Sequence, residues 1–279
     1  MNPSERMATS TVSKTAVESA TPITAAFARL RGKGHGGVVP YITAGHPDLA
    51  MTYDVLLALG NAGATVIELG VPFSDPMADG PVIQRACEVA LRNGTRLDDV
   101  LALTRELQKE TDVPIVLFSY LNPLLQYGLE RLAREARQNG IAGVLVTDLP
   151  TDAAAPFAHA LRAHGADFIS LIAPTSTDER LRQTAATASG FIYAVSRTGV
   201  TGTREQVSGD AKALVDRVRR FTTLPVALGF GISTPEHAKE AWQFADAVVV
   251  GSALVGLIGE SGKGAAARSG EFLREFTAK

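Results

Sequence analysis

The chain has 279 residues, of which 46% are hydrophobic and 20% are charged, and its formal net charge is -2. This balance offers no basic stripe for nucleic acid, and no apolar run is long enough to span a bilayer. We therefore expect a partner that is a small molecule. The single cysteine, Cys87, excludes an internal disulfide, which fits a cytoplasmic setting.

The first 21 residues are rich in serine, threonine and alanine but lack the apolar centre of a signal peptide. Because acidic residues are scarce there, a transit peptide is the alternative to a frayed end. We interpret residues 1–21 as a flexible N-terminal tail and residues 22–279 as a single catalytic domain. That domain begins with a predicted short helix over residues 23–33.

Apolar and β-branched runs then alternate with helical stretches along the whole chain. The predicted strands are 38–43, 65–71, 114–120, 143–149, 167–173, 191–196, 225–231 and 247–254. The predicted helices are 48–61, 82–92 extended by 97–109, 130–138, 154–164, 178–188, 210–220, 235–243 and a last helix over 271–277. This alternation predicts an α/β fold, a (β/α)8 TIM barrel with an extra N-terminal helix. A doubly wound open sheet is the alternative, but no GxGxxG turn follows the first strand.

The stretch from residue 68 to residue 81 reads ELGVPFSDPMADGP and carries three acidic side chains. Glu68 lies on a strand that is apolar on both faces, so its carboxylate is expected inside the protein. An unpaired charge there costs roughly several kcal/mol, which indicates either a catalytic use or a structural ion pair. Asp75 and Asp79 lie in Ser-Asp-Pro and Asp-Gly-Pro strings, which form turns in many proteins.

Two glycine-containing loops follow the last two predicted strands. Gly229 to Ser233 span the end of the seventh strand, and Gly251 and Ser252 lie near the end of the eighth. Barrels of this kind often bind phosphate at these loops, so we predict a phosphate monoester site, with tight turning and no ligand as the alternative. The polar stretch 196–204 after the sixth strand suits a lid over the substrate or a disordered surface loop.

The residue types that are absent from the strands narrow the chemistry further. The histidines lack metal-ligand spacing and no CxxC motif occurs, so no metal site is expected. No lysine falls on a predicted strand, which argues against a Schiff-base aldolase. Carbon-carbon chemistry would then depend on carboxylates, and Glu68 and Asp79 are the candidate acid-base pair.

Five motifs together resemble the tryptophan synthase alpha chain family from about residue 23 to the C-terminus. They are PYITAG at 40–45, ELGVPFSDPMADGP at 68–81, YAVSRTGVTG at 193–202, LGFGIS at 228–233 and VVVGSAL at 248–254. The resemblance implies cleavage of indole-3-glycerol phosphate to indole and glyceraldehyde 3-phosphate in L-tryptophan biosynthesis, with no cofactor in this chain. It also implies that Glu68 is the main acid-base and that Asp79 accepts from the indole N–H.

The same resemblance implies the substrate contacts and the partner. The implied substrate contacts are Thr201, Gly202, Phe230, Gly231, Gly251 and Ser252, most of them at the phosphate, and Tyr41, Phe118, Leu145, Thr147 and Tyr193 around the indole. The implied partner is a pyridoxal-phosphate beta chain in an α2β2 heterotetramer, docked on the loops after strands two, three and six, including 75–76 and 122–124. The alternatives are a free-standing indole-3-glycerol phosphate lyase, a catalytically silent phosphate-binding regulatory subunit, and indole-3-glycerol phosphate synthase, whose strand-borne lysine is absent here.

Overall fold

The structure, a computed structural model, describes residues 20–30, 35–195, 204–229 and 231–278. Eight parallel strands in this part of the chain close into a barrel in sequence order, with the eighth strand paired to the first. The strands are β1 (Gly37–Thr43), β2 (Ile67–Gly70), β3 (Ile115–Ser119), β4 (Ile141–Val146), β5 (Asp167–Ile172), β6 (Ile192–Val195), β7 (Val226–Gly229) and β8 (Ala247–Val250). The predicted (β/α)8 barrel is confirmed, and an open doubly wound sheet is excluded.

Helices surround the barrel and join its strands. Over the described residues they are α1 (Pro22–Ala28), α2 (Leu49–Asn61), α3 (Pro81–Arg92), α4 (Leu97–Leu107), α5 (Leu121–Tyr127), α6 (Leu129–Glu135), α7 (Ala155–Ala163), α8 (Asp178–Thr187), α9 (Arg204–Val218), α10 (Pro235–Ala241), α11 (Ser252–Ser261) and α12 (Ala265–Thr277). Among them, none combines the length and the apolar character needed to cross a membrane.

Each strand is buried on both faces because its two faces meet different neighbours. On β2, Ile67 and Leu69 point outward into the large cluster formed with the helices. Val66, just before this strand, packs in the smaller cluster inside the barrel. Since side chains alternate along a strand, Glu68 and Gly70 share the inward face with Val66. The inside of the barrel is therefore a packed core that also carries one acid.

Helix α1 lies at the N-terminal end of the barrel. Phe27 packs on Phe191 with ring centroids 5.5 Å apart. Thr21 caps the helix and donates a hydrogen bond of 2.5 Å to the buried carboxylate of Asp167 at the start of β5. Most of the predicted tail, residues 1–19, lies outside the described residues.

The prediction of one strand over 247–254 is wrong beyond Val250. Gly251, with φ −113° and ψ −88°, ends the strand, and α11 begins at Ser252. The apolar run continues through Leu254 because the helix is itself buried, and periodicity does not separate a buried strand from a short buried helix segment. The last helix, predicted over 271–277, begins earlier, at Ala265.

Other predicted boundaries also differ from the structure. Helix α5 was not predicted, α1 ends at Ala28, and α9 begins at Arg204 rather than at residue 210. The predicted extension of the third helix is a separate helix, because Gly94 turns the chain with φ +79° between α3 and α4. Apart from α5, these differences fall in polar or glycine-containing stretches, where helix signals are weakest.

Candidate active site

A cavity of about 460 Å³ opens at the C-terminal ends of the strands. This is the end of a (β/α)8 barrel where enzyme sites are found, because the loops that follow the strands converge there. The wall combines one carboxylate, aromatic rings and backbone at two strand-to-helix turns. It is formed by Tyr41, Ala78, Asp79, Gly80, Ile83, Phe118, Thr147, Leu171, Tyr193, Val195, Gly231, Ile232, Ser233, Val249, Gly251, Ser252 and Ala253.

Glu68 is the acid inside the barrel, with no exposed surface. It lies beside Tyr41 on the neighbouring strand. No group in the described part of the chain donates a hydrogen bond to either carboxylate oxygen, although a structural ion pair would place such a donor there. Burial alone raises the pKa of Glu68 well above its ordinary value. Burial therefore favours the protonated form of this side chain.

Asp79 reaches the same region from the loop between β2 and α3. Its Oδ2 accepts a hydrogen bond of 3.0 Å from the Tyr120 hydroxyl. The same hydroxyl oxygen accepts 2.9 Å from the backbone N–H of Ala78. Burial raises the pKa of Asp79, and the bond from Tyr120 opposes that rise. The two carboxyl groups therefore have different environments, one inside the barrel and one on the cavity wall.

Two tyrosines form the aromatic part of the wall. Tyr41 meets Phe118 edge-on with ring centroids 5.1 Å apart. A Cβ on Gly70 would lie 2.2 Å from the Tyr41 hydroxyl, and a Cβ on Gly229 would lie 2.2 Å from the Tyr193 hydroxyl. Each tyrosine therefore lies over a glycine on the next strand. Burial is the main cause that raises the pKa of both phenols, and the nearby acids add to it, so both remain protonated.

Another part of the wall is backbone suited to an anion. Gly231 has φ +79°, a conformation that favours glycine. Gly251 precedes α11, and no side chain caps this helix N-terminus. The first N–H groups of α11 have no partner within the helix, and Ser252 and Ala253 lie on the cavity wall. Unpaired N–H groups and the helix dipole together favour a phosphate at this position.

The structure places most of the candidate site residues around one space. Asp79, Tyr41, Phe118, Thr147, Tyr193, Gly231, Gly251 and Ser252 line the cavity. Glu68 and Leu145 are fully buried in the barrel and are not on its wall. Thr201, Gly202 and Phe230 lie outside the described residues.

Several other wall residues were not predicted from the sequence. Leu171, Val195 and Val249 project inward near the ends of β5, β6 and β8. The period of two along each strand was the signal that could have identified them, because each lies two positions after a residue that points into the barrel, Ile169, Tyr193 or Ala247. Ile83 comes from α3 and carries no such signal.

A larger cavity, of about 1050 Å³, lies at the N-terminal end of the barrel. It is bordered by Phe27, His35 and Trp242, and by Arg219 and Asp246, which form an ion pair of 3.0 Å with each other. It contains no pair of acids and lies at the end of the barrel that usually serves stability. Within the described ranges, no three His, Cys, Asp or Glu side chains are grouped as a metal site. Size alone therefore does not identify the reactive cavity.

A family model described as tryptophan synthase alpha chain matches residues 27–277. The tryptophan synthase alpha chain of Geobacter sp. (strain M21) is 52% identical over 229 residues, 82% of this chain and 86% of that protein. The structure of tryptophan synthase subunit alpha from Legionella pneumophila str. Paris has a TM-score of 0.85 at 37% identity, over 92% of this chain and 97% of that one. A chain of the tryptophan synthase α2β2 complex from Pyrococcus furiosus gives 0.82 at 40% identity, over 88% and 99%. The chain therefore belongs to the tryptophan synthase alpha chain family, the lyase subunits of tryptophan biosynthesis.

Proposed function

We propose that this chain cleaves indole-3-glycerol phosphate to indole and glyceraldehyde 3-phosphate. The observation that carries the proposal is the unpaired, buried Glu68 beside a cavity that Asp79 lines. The cavity has the size of ordinary small-molecule sites, about 300–1,000 Å³. Its aromatic wall suits an indole ring, and its uncapped helix N-terminus suits the phosphate.

Each carboxyl group has a separate task in this reaction. Glu68 delivers a proton to indole C3 and accepts the proton of the glycerol hydroxyl next to the ring. The C–C bond then breaks, its electrons return to the indole ring, and the former hydroxyl carbon becomes the aldehyde. Asp79 accepts from the indole N–H and stabilises the indolenine-like intermediate. A raised pKa suits Glu68, because the group must be protonated in one step and ionised in the next.

Glu68 must also come into contact with the substrate, since it does not line the cavity in this conformation. Its neighbours Tyr41 and Tyr193 do line the cavity, and the charge of Glu68 contributes to the raised pKa of both phenols. We propose that a change of side-chain rotamer brings the carboxyl group to the wall in the substrate complex.

The direct test is indole release from indole-3-glycerol phosphate by the purified chain, followed with and without a tryptophan synthase beta chain. We expect indole and glyceraldehyde 3-phosphate in equal amounts. Binding of the substrate without any indole, under both conditions, would overturn the proposal and favour the silent regulatory subunit.

Changing Gly231 to valine is expected to weaken binding of glycerol 3-phosphate by about 10-fold or more, because φ +79° is strained for any side chain. Isothermal titration calorimetry measures the affinity. Gly94→Val is the matched control, since Gly94 has the same φ on the α3–α4 turn and no atom would contact its Cβ. Equal affinities for the Gly231 variant and the wild type would contradict a phosphate site at this loop.

A beta chain carrying pyridoxal phosphate is the proposed partner, in an α2β2 assembly like that of the Pyrococcus furiosus protein. Two large apolar side chains are exposed near the site, Met77 in the β2–α3 loop and Leu125 on α5. Leu124, which the resemblance implied as a docking residue, is buried instead. Successive side chains on a helix point in different directions, so Leu124 faces the core while Leu125 lies in solvent.

The double variant Met77→Asp and Leu125→Asp is expected to lose affinity for a beta chain by at least about 10-fold, because it introduces charges into an apolar contact. The measurement is light scattering of the mixed chains, together with indole-forming turnover. Turnover of the isolated chain should be slow and should rise when the beta chain orders the loops at the rim. Full activity alone, unchanged by a beta chain, would instead favour the free-standing lyase.

A further inference from the structure

Tyr120 contacts three residues of the β2–α3 loop, Phe73, Ala78 and Asp79. Its hydroxyl donates to Asp79 and accepts from the N–H of Ala78, at 3.0 and 2.9 Å. Its ring packs on Phe73 at the start of the same loop, with centroids 5.2 Å apart. Tyr120 therefore holds this loop at both of its ends.

The main chain around Tyr120 is itself fixed. The residue directly follows β3 and is the N-cap of α5. The Ser119 hydroxyl donates to its carbonyl oxygen at 2.9 Å, and the Leu121 N–H donates to Asp148 at 2.6 Å. The phenol is buried, with only 6% of the residue exposed, yet it is not on the cavity wall. It is thus a rigid support behind Asp79 and not a substrate contact.

We propose that Tyr120 is the positioning residue for Asp79, holding its carboxylate in the cavity by one hydrogen bond and the preceding peptide by another. This inference rests on the proposed role of Asp79. A carboxylate on a loop has several rotamers, and fixing one of them removes a conformational cost from the reactive complex. A donated hydrogen bond also stabilises the ionised form, which is the form that accepts from an indole N–H.

The charges around Asp79 are consistent with this direction of donation. Burial and the Asp79 charge both raise the pKa of Tyr120, so the phenol keeps its proton. The other titratable groups that interact with Asp79 are phenols or a thiol whose pKa is also raised, namely Tyr41 on β1, Tyr193 on β6 and Cys87 on α3. Glu68 on β2 completes the acids of the site. Among these described groups, Tyr120 is the one that donates directly to the Asp79 carboxylate.

Tyr120→Phe is the test, because it keeps the ring on Phe73 and removes only the hydroxyl. We expect kcat for indole formation to fall about 10-fold, the loss of one hydrogen bond to a charged group, while KM changes less than about 3-fold. Without its donor the pKa of Asp79 rises further, so the acid limb of the pH–rate profile moves to higher pH. Tyr127→Phe is the matched control: it removes a phenol–carboxylate bond to Glu135 on the surface, and should change neither kcat nor the acid limb.

Two further measurements separate positioning from a merely structural role. In an Asp79→Ala background, Tyr120→Phe should have almost no further effect on kcat, since the group to be positioned is gone. Carboxyl ¹³C NMR of aspartate-labelled protein, with the Asp79 signal assigned from its absence in Asp79→Ala, should show a higher pKa in Tyr120→Phe. An unchanged Asp79 pKa, or an equal loss of kcat in both backgrounds, would overturn the proposal. Because the NMR titration does not depend on turnover, a wild-type protein that forms no indole would refute the proposed function and leave this test of Tyr120 intact.

Discussion

Glu68→Gln is expected to lose at least about 100-fold of its indole-forming turnover, and as much as about 10,000-fold, while it still binds substrate. Positioned proton transfer typically contributes 10² to 10⁴-fold, and Glu68 serves two proton transfers in the proposed reaction. The amide has nearly the same shape as the acid but cannot exchange a proton. Single-turnover indole formation measures the chemical step, and calorimetry measures binding on the same preparation.

The same variant is expected to be more stable than the wild type at alkaline pH. Burial raises the pKa of Glu68 in the folded protein above its value in the unfolded chain. For a group of this kind, the contribution to stability is fully present below the unfolded pKa and is lost as pH rises through the folded pKa. Each pKa unit by which Glu68 in the folded protein exceeds Glu68 in the unfolded chain lowers the stability of the wild type by about 1.4 kcal/mol at high pH. Glutamine does not ionise, so the variant keeps this stability. Urea unfolding at acidic and alkaline pH should therefore show a difference that grows with pH.

A structural ion pair at Glu68 would give the opposite result. The amide variant would then melt at a lower temperature, and its folded fraction would turn over normally. Glu135→Gln provides the surface control, because Tyr127 and Arg131 bond to Glu135 and lower its pKa. The bonds to Glu135 stabilise the wild type above the ordinary glutamate pKa, and this stabilisation is lost as pH falls. The Glu135→Gln variant should form indole at the wild-type rate.

Asp79→Asn is expected to have the second largest effect, a loss of about 100-fold in turnover with smaller change in substrate affinity. The amide can still accept from the Tyr120 hydroxyl, so the loop should keep its position while the negative charge is lost. Single-turnover kinetics measures the loss, and Asp112→Asn, an exposed acid at the other end of the barrel, is the control. A loss larger than that of Glu68→Gln would reverse the two proposed roles.

The barrel could be predicted from the sequence because its strands are apolar on both faces and alternate with helices. Strand ends were less certain, as the run from Ala247 to Leu254 illustrates. Its apolar residues are buried in two different ways, first in β8 and then in α11, and hydrophobicity does not distinguish them. Helix α5 was missed because its seven residues follow directly after a strand and include a proline.

The site was predictable where chemistry leaves a mark on the strand ends. Glu68 was a candidate because it is an acid on an otherwise apolar strand. Gly231 and Gly251 were candidates because they lie in loops where such barrels often bind phosphate. Tyr120 ends the predicted strand 114–120, but its bond to Asp79 joins residues 41 positions apart. No local pattern encodes such a contact. Nor could the sequence show that Glu68 lies off the cavity wall, since that depends on how the tyrosines around it pack.

The two tyrosine–glycine pairs restrict how the cavity could be redesigned for a larger ring, such as a substituted indole. Any new side chain at Gly70 or Gly229 would first displace the tyrosine that lies over it, Tyr41 or Tyr193. Single substitutions at these two glycines would therefore test strain more than specificity. A mutant library aimed at new substrates would sample each glycine together with its tyrosine, because a side chain at the glycine needs a smaller residue at the tyrosine position.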